Sequence, residues 1–440
     1  MAHMGVSFEL NGELCAGGKG PRDLITDVPG VRVGHVTLCG DSPDGPLHTG
    51  VTAIVPPGDC FADKLSAAAY VSNGFGKSMG LVQVDELGSL ETPILMTNTL
   101  SCGACYDALV RHALDRHAEI GVDTGTVNPV VMECNDGPIN TIRAMAVTPQ
   151  HGLDAIAAAG DTFDEGDVGA GTGMTCFGLK GGIGSSSRIV AFDGCDYTIG
   201  VLVLTNFGSR SCLRIAGRPV GRLLAEAEDK VDDDPDKGSI VAVIATDLPA
   251  DSRQLRRMAK RVTVGIARCG GYIGNGSGEI VVAFSTANRI PHWAGESRGG
   301  AAAPMIDTVR RLSDNAMDDC FRVVAAASEE AIVSSLWHAH SVVGRTGETT
   351  WSLHDAAGRA GVDILPPCRA CVARGIRRIR ARIHLSDRRR PHLRRTPSRR
   401  PAPRGARRRG RTGRHVQRRL PAAKLRRLAA DRHDRHPDVG

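Results

Sequence analysis

Aromatic residues are scarce: nine Phe, four Tyr and three Trp make up 4% of the 440 residues. Val, Ile, Leu and Ala must therefore fill any hydrophobic core. Long apolar runs are missing too. None approaches the roughly 18 residues that a membrane-spanning helix needs, and Met1 to Gly17 shows no basic start followed by an apolar stretch. Both absences point to a cytoplasmic protein. The dense cysteine spacing of a disulfide scaffold is also absent. Thirteen Cys lie scattered from Cys15 to Cys371, as expected of reduced thiols. Cys102-Gly-Ala-Cys105 and Cys368-Arg-Ala-Cys371 are CxxC pairs that each stand alone. A joint zinc site would need the chain's end to reach its body, so no metal is expected.

What is present is unevenly spread. Residues 367–440 carry 26 Lys+Arg against four Asp, a net charge of +22, and residues 1–366 carry 29 against 44, a net −15. The mildly acidic body would repel phosphate, so the overall charge of +7 does not argue for a nucleic-acid-binding domain. Without Phe, Tyr or Trp, the Arg/Pro-rich end can neither build a core nor stack bases. Two readings of it stand: a disordered arm attracted non-specifically to nucleic acid or an anionic surface, or the product of GC-rich codons read out of frame. The expected organisation is one globular domain over 1–366 and a disordered tail over 367–440.

Fully apolar runs of strand length occur at Pro129–Met132, Thr198–Leu204, Ile240–Ala245 and Ile280–Phe284, as strands buried on both faces require. Leu24–Val36 and Gly50–Val55 alternate β-branched residues with Pro/Gly punctuation and read as further strands and turns. Helical spacing appears over Tyr106–Leu114, at Leu255, Met258, Ala259 and Val262, and over Glu329–Val343. This mixture predicts an α/β layered sandwich with sheets inside and helices outside. The charged segment Glu226–Lys237 predicts an exposed loop that ends at Gly238-Ser239, where the chain enters a buried strand.

Several motifs fall short. Gly74-Phe-Gly-Lys77-Ser78 ends like a phosphate loop, but Val71 occupies the position of its leading glycine. The turns Gly169–Gly173 and Gly181–Gly184 do not fit a dinucleotide loop. His338 and His340, two apart, do not share a helix face and suggest no metal site. His35 reads as a core or surface histidine.

The Gly238-Ser239 junction carries more chemistry. No histidine lies nearby in sequence to activate Ser239. Cutting the preceding bond would free an α-amine, of reference pKa about 7.7–8.0, able to deprotonate its own hydroxyl. Ser277 and Glu279, two apart on a strand, project together; Glu279 is either a strand-edge glutamate in water or a carboxylate at the mouth of a buried strand, which needs a hydroxyl, amine or cation partner. Asn206 ends the apolar run from Thr198 and either caps a turn or donates to an oxyanion. Glu133, Asn135 and Asp136, after another buried strand, suit a polar pocket wall.

In combination and order these elements resemble the L-aminopeptidase/D-esterase family, which includes the β-peptidyl aminopeptidases. The likeness runs from Ile25-Thr-Asp-Val-Pro-Gly-Val-Arg-Val-Gly-His35 through Asn73-Gly-Phe-Gly-Lys77, Glu86-Leu-Gly-Ser-Leu-Glu-Thr-Pro-Ile94 and Thr97-Asn-Thr99. It continues through Gly169-Ala-Gly-Thr-Gly-Met174, Lys180-Gly-Gly-Ile-Gly184 and Gly238-Ser239 to Ser277-Gly-Glu279, about 255 residues in all. The resemblance implies a four-layer αββα sandwich similar to that of amino-terminal-nucleophile hydrolases, with its own connectivity. It also implies self-cleavage into chains 1–238 and 239–440, and no cofactor. Ser239 would be the nucleophile, assisted by Ser277 and Glu279, with Asn206 holding the oxyanion and Glu133 the substrate's free ammonium. Small amino-terminal residues would leave peptides, amides or esters, and the processed heterodimers would form a homo-oligomer. Asn135 stands where many members carry tyrosine, which bears on substrate preference. An unprocessed homologue binding anions through its tail, or an acyltransferase of similar fold, are the alternative functions.

Overall fold

Buried residues alternate along the strands in a way that dictates layers. A computed structural model describes residues 18–228, 238–294 and 304–364. Its first half contains β1 (Gly18–Lys19), β2 (Arg32–Ser42), β3 (Gly45–Val55), β4 (Asp63–Gly74), α1 (Leu81–Leu87), β5 (Ser89–Leu90), β6 (Ile94–Asn98), α2 (Cys102–Leu114), β7 (Val130–Cys134) and α3 (Pro149–Ala157). Next come β8 (Thr175–Cys176), β9 (Leu179–Lys180), β10 (Ile183–Phe192), β11 (Cys195–Asn206), α4 (Val220–Ala227), β12 (Ser239–Thr246), α5 (Ser252–Ala259) and α6 (Val262–Arg268). The remainder is β13 (Gly278–Pro291), α7 (Met317–Trp337), β14 (Val342–Val343), β15 (Thr349–Thr350) and α8 (Leu353–Ala360).

One sheet has seven strands in the order β1-β10-β11-β12-β13-β4-β5, and a second has four in the order β2-β3-β6-β7. All neighbours in both are antiparallel except β12–β13 and β6–β7. Val241, Val243 and Ala245 of β12 join Leu202, Leu204, Ile94, Met96, Val130 and Met132 in a core between the sheets. The intervening Ile240, Ala242 and Ile244 pack with Leu255, Met258, Ile266, Val323 and Ala327 of the outer helices. On the far side, Val51, Ala53, Leu95 and Val131 pack against Cys105, Ala108 and Leu109 of α2 and Ala155 and Ile156 of α3. Period-two alternation with apolar residues on both faces thus produces the expected αββα sandwich. Each fully buried Val, Ile or Leu contributes roughly 1.5–3 kcal/mol.

Strand cores match expectation to within a few residues, but two helices do not. The face Leu255, Met258, Ala259, Val262 is divided between α5 and α6. The Thr263 hydroxyl takes the Lys260 carbonyl at 2.6 Å, and the Arg261 amide bonds the Met258 carbonyl at 2.8 Å, which tightens the chain there. The helix expected over Glu329–Val343 occupies Met317–Trp337 instead, because Val342–Val343 pair with Thr349–Thr350 as β14–β15. The ten cysteines in the described residues are free, Cys102 and Cys105 both buried. Cys368, Cys371, most of the acidic loop before Gly238 and the Arg/Pro-rich tail lie outside the described residues.

Candidate active site

Ser239 is the first residue of β12, which strand pairing sets between β11 and β13. Asn206, the last residue of β11, is its antiparallel partner. Gly238, just before it, crosses so close to β11 that a Cβ there would lie 1.8 Å from the Asn206 carbonyl oxygen. From the other side, the Gly278 N–H that opens β13 donates to Ser239 Oγ at 3.2 Å. The buried Ser277 hydroxyl donates to the buried Glu279 carboxylate, the pair that i,i+2 spacing anticipates. A backbone donor on Oγ stabilises negative charge there, as a forming alkoxide needs.

Asn206 is oriented on both ends of its amide. Oδ1 accepts the Thr175 N–H at 3.0 Å and its hydroxyl at 3.3 Å, which leaves Nδ2 to donate to the Asn135 carbonyl at 3.0 Å. Asn135 therefore meets Asn206 through its backbone. Its own side chain accepts the Gly137 N–H at 2.9 Å in an Asx turn.

Alternation along β7 sends Cys134 into the layer between the sheets and turns Glu133 the other way. The Cys134 thiol donates to the carbonyls of Ser239 at 3.4 Å and Leu204 at 3.5 Å. Burial, with the nearby Glu133 and Glu279 charges, pushes it well above the ordinary thiol range, so it is no rival nucleophile. Glu133 is buried, accepting the Lys77 N–H at 2.7 Å on Oε1 and the Thr99 hydroxyl on Oε2. Lys77 belongs to the segment Phe75-Gly76-Lys77, which follows β4. Its Phe75 carbonyl lies so close to Gly278 that a Cβ on Gly278 would come within 2.8 Å of the oxygen. One short segment thus touches the Glu133 carboxylate at one end and, at the other, the Gly278 residue whose N–H holds the Ser239 hydroxyl.

Of the remaining candidates, the Gly74–Ser78 segment touches the site and the histidines lie apart from it. Gly74–Ser78 presents its Lys77 amide to Glu133. His35 bonds the Thr52 hydroxyl at 2.9 Å, and burial lowers it to about 4. His338 lies 3.5 Å from Glu165 and His340 2.9 Å from Asp167, two separate partners. No group of three His, Cys, Asp or Glu among the described residues is placed to hold a metal. A cavity of about 520 Å³ lined by Arg32, Phe61, His112, His117 and Ile156 contains none of the site residues.

Sequence reasoning assigned no role to Lys180. It is fully buried, and its ammonium donates to the carbonyls of Gly171 and Met174, both at 3.0 Å, and of Gly181 at 2.6 Å. Burial lowers it to about 8. By tying down the turn that ends at Met174, it steadies the Thr175 amide that orients Asn206. Its place in the Lys180–Gly184 motif was the one available signal.

Two mixed sheets clad by helices on their outer faces, with a serine opening a central strand, define a hydrolase of the amino-terminal-nucleophile fold type. The profile of peptidase family S58 matches residues 23–350, and the chain belongs to that family. It is 40% identical to the β-peptidyl aminopeptidase BapA of Sphingosinicella microcystinivorans over 363 residues, 78% of this chain and 89% of the relative. The solved structure of the PH0078 protein from Pyrococcus horikoshii superposes with a TM-score of 0.73 at 46% identity, covering 80% of this chain and 97% of that one. The L-aminopeptidase D-Ala-esterase/amidase of Ochrobactrum anthropi, described as a prototype of the serine aminopeptidases with a variant Ntn hydrolase fold, superposes with a TM-score of 0.69. Its identity is 34%, with 80% of this chain and 97% of that one covered. No described helix is long and apolar enough to cross a membrane.

Proposed function

We propose that this chain cuts itself between Gly238 and Ser239 and then works as an aminopeptidase through an acyl-Ser239 intermediate. The observation that carries the reading is the Gly278 N–H on Ser239 Oγ with Asn206 directly opposite. In the first reaction Oγ attacks the Gly238 carbonyl carbon, the peptide C–N bond breaks, and the resulting ester is hydrolysed by water. The freed α-amine of Ser239 then takes the proton from its own hydroxyl. Oγ attacks the carbonyl of a bound amino-terminal residue, Asn206 donates to the oxyanion, and the leaving amine departs with the proton. Water releases the acyl group and restores the serine. Ser277 and Glu279 assist these transfers.

Glu133 binds the free ammonium of the substrate, and this restricts attack to amino-terminal residues. A buried carboxylate is satisfied far better by a cation than by a blocked, neutral terminus. The name of the Sphingosinicella relative supports β-amino-acid termini among the substrates of this chain, and that of the Ochrobactrum enzyme supports amides and esters. The free cysteines suit a reducing cytoplasm, where a homo-oligomer of processed heterodimers completes the reading.

Denaturing mass spectrometry of the purified chain tests the first step. Fragments of 238 and 202 residues are expected, the second beginning at Ser239, and only the intact 440-residue chain from Ser239→Ala. A Ser239→Ala protein that still releases p-nitroaniline from alanine p-nitroanilide would sink the assignment.

A further inference from the structure

Asn73 lies at the end of β4, where the register steps from Glu279 opposite Asn73 to Ile280 opposite Val71. Ser72 is left as the extra residue of a bulge, a device that re-aims a side chain. The re-aimed group is the Asn73 amide. Its Nδ2 donates to the carbonyls of Gly274 at 3.0 Å and Asn275 at 3.2 Å, and to that of Ser277. Two amide hydrogens thus serve three oxygens of one turn, which is also closed by the Ser277 N–H on the Gly274 carbonyl at 3.0 Å. The turn holds Ile273 at φ 61°, a left-handed conformation that a β-branched residue adopts only under constraint. The next amide along the chain is the Gly278 N–H that reaches Ser239 Oγ.

We propose that Asn73 is a positioning residue for the reaction. By gathering the carbonyls of the 274–277 turn it aims the Gly278 N–H at the nucleophile and presents the Ser277–Glu279 pair. The inference rests on Ser239 being the nucleophile. It follows from donor chemistry: at this spot only a group with hydrogens and no lone pairs facing the turn satisfies three oxygens, and a carboxylate of the same shape repels them.

The test compares Asn73→Ala and Asn73→Asp in the full-length protein, with kcat counted per serine titrated by an acylating reagent. Asn73→Ala should lower kcat about 100-fold, as small misplacements of reacting groups do, with KM within about threefold of native. Asn73→Asp, although isosteric, should be the worse at pH 8. Its rate relative to the native enzyme should recover as the pH falls toward 5, where the carboxyl regains a proton it can donate. A space-filling side chain shows neither behaviour. A per-site kcat within about threefold of native, or Asn73→Asp milder than Asn73→Ala at pH 8, overturns the proposal. So does failure of both variants to fold by circular dichroism, since the clasp would then serve the fold alone. If the native chain itself neither cuts nor turns over, it is the reading of Ser239 that fails, a result separate from these.

Discussion

Asn206 and Ser239 are direct partners in the β11–β12 pair, and the Thr175 amide at 3.0 Å from Asn206 Oδ1 decides which end of the Asn206 side chain can act as a donor. Asn206→Ala should therefore lower kcat by about 100- to 1,000-fold, the usual cost of an oxyanion donor. KM should change little. A KM effect with normal kcat, measured by steady-state kinetics, would place Asn206 in ground-state binding instead.

Gly238 is needed for space. With a Cβ only 1.8 Å from the Asn206 carbonyl oxygen, Gly238→Ala must push the scissile carbonyl away from Ser239 Oγ. Self-cleavage should slow by about 100-fold or more, visible as persistent 440-residue chain on a denaturing gel. Cutting at the native rate would mean that the bond is not held in place by this contact.

Glu133 holds its carboxylate on the Lys77 amide and the Thr99 hydroxyl, with charge left to attract a cation. Glu133→Gln should raise KM for free-amine substrates by about tenfold to a hundredfold, the value of a charged hydrogen bond. Amino-blocked esters should be nearly unaffected. Equal losses on both substrate classes would argue against its role.

Asp136, fully buried beside the Asn135 turn, has its carboxyl raised from 3.8 to about 6 by burial, an effect eased by the nearby Thr49 and Asn140 side chains. The native state thus holds this proton more tightly than the unfolded chain. Its contribution is unfavourable at neutral pH and disappears as the pH falls through 6 toward 4. Asp136→Asn should raise unfolding stability by about 1–3 kcal/mol at pH 7 and by little at pH 4. Equal effects in urea melts at both pH values would show that the charge is not the cause.

Much of the site can be read along the chain because its chemistry sits at strand ends. The apolar run Ile240–Ala245 lies inside β12, and the same run places Ser239 at its mouth. Ser277 and Glu279 meet as their spacing requires. The residues that hold these groups in place are harder to find. Asn73 and Lys180 each collect three backbone carbonyls, and no periodicity marks a side chain whose partners are the carbonyls of distant or tightly folded turns. The Gly278 amide that reaches Ser239 belongs to the backbone and has no residue type to recognise. Asn135 stands out as a side chain, yet it meets Asn206 through its carbonyl.

The sequence by itself determined the layered α/β class, the buried strands and the polar residues that close them, because apolar runs and alternation act locally and repeat. Its order of motifs also carried the family resemblance. Only the tertiary structure decided which strands are neighbours, that Asn206 faces Ser239, that Cys134 rather than Glu133 points between the sheets, and where α5 and α7 stop. Those outcomes depend on pairing register and on competition for individual carbonyls between segments up to about 200 residues apart, such as Asn73 and Gly274. Local propensity is too weak to foretell which of those competitors wins.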